Sequence, residues 1–155
     1  MRTIKFRGKD IQTGEWVYGS LFNGVAPTDN KPYSIILTDE KYDAEGHLPK
    51  DIVLGFHADE TFVVDIKSIG QFTGLYDKNG KEIYEGDIVH SKLKRLRKYD
   101  EILQICFANS DYCGKDKSGS STSLYLLEDY HTLEVIGNIH DTPELINGNY
   151  KEKEI

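Results

Sequence analysis

Little in this chain could cross a membrane or be led across one. No run approaches the roughly 18 apolar residues needed to span a bilayer, and the opening MRTIKFRGKD lacks the apolar core of a secretion signal. The expected compartment is therefore the cytoplasm. Cysteine is scarce: only Cys106 and Cys113 occur, and their seven-residue spacing fits neither a zinc nor a redox motif. In a reducing cytoplasm they are most simply two free thiols, a disulfide or a catalytic thiol being the other readings. The chain also lacks G-x-S-x-G, H-E-x-x-H and the phosphate-cradling glycine loop followed by lysine. GFHADE brings His57, Asp59 and Glu60 together, but two ligands from one loop do not close a metal site. His131 and His140 stand nine apart around the final strand, His140 beside Glu134 and Asn138 in an outward-facing role. No metal or cofactor is expected, and the chain is not expected to be an enzyme. An uncharacterised enzyme on a β scaffold remains the weakest of the alternatives, since a glycosidase-like carboxylate pair needs a cleft that sequence cannot show.

Positive charge is also in deficit. Nineteen Lys and Arg against 26 Asp and Glu leave a net charge of −7. That disfavours a protein whose whole surface grips nucleic acid, because phosphate neutralisation supplies most non-specific affinity. One local exception stands out: KLKRLRK holds Lys92, Lys94, Arg95, Arg97 and Lys98 within seven residues. The run follows the strand-like GDIVHS and precedes EILQICF, which places it at a hairpin tip. It is either a solvated loop or a contact for phosphate, DNA or RNA, with Tyr99 and Tyr112 near enough in sequence to stack on bases. An acidic patch on a neighbouring subunit is another possible partner.

What is present is sheet. With 155 residues, 38% hydrophobic and 29% charged, the chain suits one ordinary domain. A domain of that size buries roughly 68–70% of its unfolded surface without metals or disulfides. Apolar residues alternate with period two in RTIKFRG, EWVYGSLF, PYSIILTD, TFVVDI, IGQFTGLY, EILQICF, SLYLLED and LEVIGNI. Leu103, Ile105 and Phe107 share one face, as do Leu133, Val135 and Ile139. The expectation is about ten short strands in an all-β sandwich or barrel. Helix is confined to DTPELING, with Thr142 as cap, Pro143 at the first position and Gly148 as stop. Residues 39–51 and 109–123 read as polar loops, the second of them mobile, and the tail NYKEKEI as frayed.

GLYDKNGKEIYEGDIV, residues 74–89, is the densest turn signal. Asn79-Gly80 between two strand-like runs suits a two-residue type I′ hairpin. A calcium loop is the rival, but glycine comes fourth rather than sixth and the twelfth position holds Ile88. Gly86 and Asp87 form a second turn feeding a strand. DIQTGEWVYG, residues 10–19, faintly echoes DKNGKEIYEG, residues 77–86, which convergent turn chemistry explains better than an internal repeat.

IKFRGKD, then SIGQFTGLYDKNGKEIYEGDIV, then LEVIGNIHDTPEL resemble, in order, the three hallmark blocks of the YopX family. Ser68-Ile69 stands where that family often has threonine-valine, and His140 where it often has an aromatic. The resemblance implies a mainly-β, self-associating protein encoded by a phage or prophage, with a small SH3-like, partly open barrel. It implies an N-terminal β portion at about 1–66, a barrel-like portion at about 67–142, and a short helix and tail at 143–155, all within one domain. A homo-oligomer is the expected state. The tyrosine-rich composition, ten Tyr with six Phe and one Trp, supports that expectation. Trp16 and Tyr18 share one face of a strand; Trp16 is either core or, with Tyr18, a subunit interface covering an exposed β edge.

Overall fold

The computed structural model describes residues 3–25, 31–37, 61–91, 101–108, 110–124 and 132–147. Among them the protein is all-β, with eleven strands and two short 3₁₀ helices. The chain divides into two compact units, Met1–Gln71 and Phe72–Ile155.

The first unit is an antiparallel sheet of β1 (Phe6–Lys9), β2 (Trp16–Val25), β3 (Pro32–Leu37) and β4 (Thr61–Val63), in the order β4-β3-β2-β1. The start of β5 (Gly70–Tyr76) pairs with the free side of β1 through Phe6 opposite Gln71 and Arg7 opposite Gly70. Ile35, Ile36 and Val64 are buried here. The strand expected across TFVVDI stops at Val63 because Asp65 starts a 3₁₀ turn, Ile66–Ser68, by accepting the Lys67 N–H at 3.0 Å. Ser68, itself buried, accepts the Lys9 N–H and donates to the Asp65 carbonyl, each at 2.7 Å.

In the second unit the remainder of β5 pairs with β6 (Glu82–Tyr84). The other sheet runs β10-β9-β8-β7-β11, built from β7 (Asp87–Ser91), β8 (Glu101–Ala108), β9 (Asp111–Lys115), β10 (Ser121–Ser123) and β11 (Leu133–Asn138). That order has two ends, so the sheet stays open, as a partly open barrel does. Period-two alternation sends Ile83, Val89, Leu103, Ile105, Tyr112, Leu124 and Leu133 into one core, flanked by Leu75 and Val135. Each such side chain contributes about 1.5–3 kcal/mol on burial. Phe107 shares the alternation of Leu103 and Ile105 but is 56% exposed. It lies at the hairpin end of β8 and meets Tyr112 edge-on, ring centroids 5.2 Å apart. The stretch 109–123, expected to be a mobile loop, holds in its described residues, 110–123, the strands β9 and β10, and β9 pairs with both β8 and β10. The small polar residues of β10 suit an exposed outer strand, which composition alone cannot tell from a loop.

Three turns use one device. Asp77 accepts the N–H groups of Asn79 at 2.7 Å and Lys81 at 2.9 Å, while its own N–H donates to the Lys81 carbonyl and Gly80 takes φ +79°. Asp116 does the same with Ser118 and Ser120, with Gly119 at φ +87°. Asp10 accepts from Gln12 and Thr13, with Gly14 at φ +73°. The 77–81 turn is a hairpin, but not type I′, which needs positive φ at both central residues. Asn79 is not in that region; Ser110 is the one described non-glycine residue that is. With Gly80 N–H bonded to the Asp77 carbonyl at 3.0 Å, it is a type I turn closed by a left-handed glycine. The aspartate side chain decides this, because it holds the following amides in the type I geometry.

Asp77 does more than close its turn. Its second oxygen accepts the Val135 N–H of β11 at 3.1 Å, the Lys78 N–H donates to the Leu133 carbonyl at 2.9 Å, and Lys78 pairs with Glu134. Burial pushes the Asp77 carboxyl up, but the N–H donors of Lys81, Val135 and Asn79, helped by the Lys81 charge, outweigh it and hold the carboxyl below its usual range. Asp87, also buried, accepts the Tyr84 N–H at 2.8 Å, with Gly86 at φ +82° between them.

The C-terminal helix is a single 3₁₀ stretch, Pro143–Asn147, with Pro143 first as expected. The Thr142 hydroxyl accepts the Asn138 N–H at 3.2 Å. A register shift separates Val135 from Gly137 in the β11–β7 pairing. A Cβ at Gly137 would collide with Thr142 Oγ1 and lie 2.8 Å from Leu145 Cδ1, so only glycine lets the helix lie on that strand.

Candidate interaction surface

Along β2 the even positions Trp16, Tyr18, Ser20, Phe22 and Gly24 point to one face. The β1 register sets Lys9 opposite Trp16 and Arg7 opposite Tyr18; the β3 register sets Ile35 opposite Phe22 and Tyr33 opposite Gly24. Four aromatic residues and two cations therefore share one side of the sheet. Tyr18 is 41% exposed, Phe22 47% and Tyr33 37%.

The cations lie on the rings. The Arg7 guanidinium sits 4.6 Å from the centroid of Trp16 and Lys9 Nζ 5.6 Å from it, while Lys5 Nζ is 5.8 Å from the Tyr18 ring. Such contacts contribute about 0.5–1 kcal/mol where exposed and more where desolvated. Arg7 is buried, so its stacking on half-buried Trp16 is the stronger kind. Trp16 is thus neither wholly core nor wholly surface: it is half-buried beneath Arg7 and Lys9, and Tyr18 and Phe22 follow it along the same face of β2. Tyr33 lies across Gly24, where an added Cβ would come within 2.6 Å of Tyr33 Cζ and Oη. The glycine makes room for the ring and so fixes where it lies.

Of the residues singled out from sequence, Trp16 and Tyr18 come together as expected. Phe22, Tyr33, Arg7, Lys9 and Lys5 were missed. Phe22 could have been found by carrying the alternation two residue pairs further; Tyr33 and the cations depend on a strand register that no motif announces. Lys92, Lys94, Arg95, Arg97 and Lys98, with Tyr99, lie outside the described residues. The flanking strands are described, and β7 and β8 pair up to Ser91 opposite Glu101. Tyr112, expected near the basic run and free to stack on bases, is instead 4% exposed in the core of the second unit. That expectation is corrected: β9 turns the ring inward. His57, Asp59, Glu60 and His131 also fall outside the described residues. His140 is half-buried, its N–H donating to Asn138 Oδ1 at 2.9 Å. Among the described residues no three His, Cys, Asp or Glu side chains converge as a metal site would require, and no helix is long and apolar enough to cross a membrane.

No curated protein matches the chain. A family model described as YopX protein matches residues 5–147. Protein yopX from Bacillus subtilis, a solved structure, is similar with a TM-score of 0.51 at 16% identity, over 94% of this chain and 97% of that one. A crystal structure of a protein from Enterococcus faecalis gives a TM-score of 0.48 at 22% identity, over 94% of this chain and 99% of that one. At such identity the Bacillus likeness shows a common fold and nothing finer.

Proposed function

We propose, on the premise that this chain belongs to the YopX family, that it is a phage-related accessory protein of the cytoplasm that works as a self-associating binding module. One observation carries the reading: Tyr18, Phe22 and Tyr33 are exposed on one face of the sheet, the face that also holds Trp16. Aromatic rings held by neighbouring strands lose little entropy on docking and are the residues that dominate protein interfaces. The three exposed rings supply roughly 300 Å², against the roughly 800 Å² per partner of a standard interface. They are therefore the anchor of such a contact and not its whole extent.

Light scattering at micromolar concentration tests this. The wild type is expected to run above monomer mass, and the double variant Tyr18→Ser, Phe22→Ser to fall to monomer while keeping its circular dichroism. A monomeric wild type refutes the reading. A second reading rests on a different observation, the five cations at 92–98 in a chain of net charge −7: a local electrostatic contact for nucleic acid. Catalysis has no comparable support on the described residues.

A further inference from the structure

We propose that Cys106 and Cys113 form a reversible intramolecular disulfide that clamps β8 to β9, with a low-molecular-weight disulfide as oxidant. In sequence the two are seven apart and match no redox motif. The hairpin makes them neighbours. The register sets Cys106 directly opposite Cys113, and the two sulfurs are 2.7 Å apart as free thiols. Residues directly opposite in an antiparallel pair have Cα atoms about 4.5–5.5 Å apart, inside the roughly 4.4–6.8 Å window that a disulfide bridges without moving the backbone. Both strands are held on their other sides, β8 by β7 and β9 by β10, so the pair is preorganised and does not depend on a chance encounter.

The two thiols differ in access. Cys113 is buried and Cys106 half-buried, so the reagent meets Cys106 first. Cys106 gives its proton to solvent and its thiolate attacks one sulfur of the small disulfide, expelling one small thiolate and leaving a mixed disulfide on Cys106. Cys113 then gives up its proton and attacks Cys106 Sγ, expelling the second small thiolate. The protein loses two electrons and two protons; the reagent gains both and leaves as two thiols. The environment sets the pace. Burial, the hydrogen bond with Cys113 and that neighbour's charge push the Cys106 thiol up to about 12, with Glu85 adding to the rise and Lys115 opposing it. Thiolate is scarce at neutral pH, so closure is slow there and quickens about tenfold per pH unit over the neutral to mildly alkaline range.

The test equilibrates the full native chain with graded mixtures of reduced and oxidised glutathione, quenches with acid, alkylates and reads intact mass. Wild type is expected to lose two hydrogens and to keep no glutathione, with the rate rising about tenfold between pH 7 and pH 8. Cys113→Ser is expected to stop with one glutathione held on Cys106. If that variant fails to fold, melting of the wild type with and without oxidation decides: the closed form should melt higher and return to the starting value on reduction. Two thiols still free in oxidised glutathione alone, a stable mixed disulfide on wild type, or a covalent dimer each overturns the proposal.

Discussion

Replacing Asp77 by alanine should unsettle the second unit far more than its place in an exposed turn suggests. The carboxylate accepts three backbone N–H groups, from Asn79, Lys81 and Val135. Those of Asn79 and Lys81 sit in exposed residues and rehydrate when the acceptor goes, at a cost of about 0.5–1 kcal/mol each. The Val135 N–H lies in a half-buried strand, where an orphaned donor costs about 1–3 kcal/mol. The total is about 2–5 kcal/mol, or a fall in Tm of about 4–20 °C for a chain of this length. Urea unfolding followed by circular dichroism reads it. Asp116→Ala is the internal control: it removes the same local turn bonds but no tie to a distant strand, so its loss should be plainly smaller. Acid supplies a second signature. The folded carboxyl of Asp77 lies below its ordinary value of 3.8, so the unfolded chain takes up the proton first as pH falls. The contribution is complete above that ordinary value and is lost as pH drops through the lowered folded one. The gap between wild type and Asp77→Ala should therefore narrow on acidification below about pH 4. A gap under about 0.5 kcal/mol at neutral pH, one no larger than that of Asp116→Ala, or one indifferent to acid refutes the reasoning.

Gly137→Ala should cost about 1–3 kcal/mol, because the new methyl displaces Thr142 and Leu145 and lifts the C-terminal helix from β11; an unchanged urea midpoint would contradict that packing. Neutralising Lys94, Arg95, Arg97 and Lys98 to glutamine should abolish any binding of short DNA or RNA seen at low salt. Binding that survives the change would remove the basic run as the contact.

The sheet character was readable because period-two alternation is local: Leu103, Ile105, Val89 and Leu133 needed only their neighbours to declare a buried face. Turn positions were readable for the same reason, since Asp with Gly three or four residues on carries its own geometry. Turn type was less so, because Asn79-Gly80 suits more than one turn and the Asp77 carboxylate chooses between them. The strands β9 and β10 were missed, because one buried Tyr112–Cys113 pair among serine, lysine, aspartate and glycine leaves no apolar alternation to detect. The interaction surface was half legible. Trp16 and Tyr18 lie on one strand, whereas Tyr33, Arg7 and Lys9 reach it through pairings set by register. Cys106 and Cys113 illustrate the same limit: spacing in the chain hid them, and pairing across the hairpin set them face to face.

A ribosome releases Asp77 long before Val135, the two being 58 residues apart. Throughout that interval one carboxylate oxygen lacks its Val135 partner, while the 77–81 turn has all the residues of its own closing bonds. Premature stops before residue 133 make that lack permanent, exposing the surface of β7 that β11 would cover. The Asp77 tie and the β7–β11 pairing therefore wait for the same stretch of chain, residues 133–138, to be made.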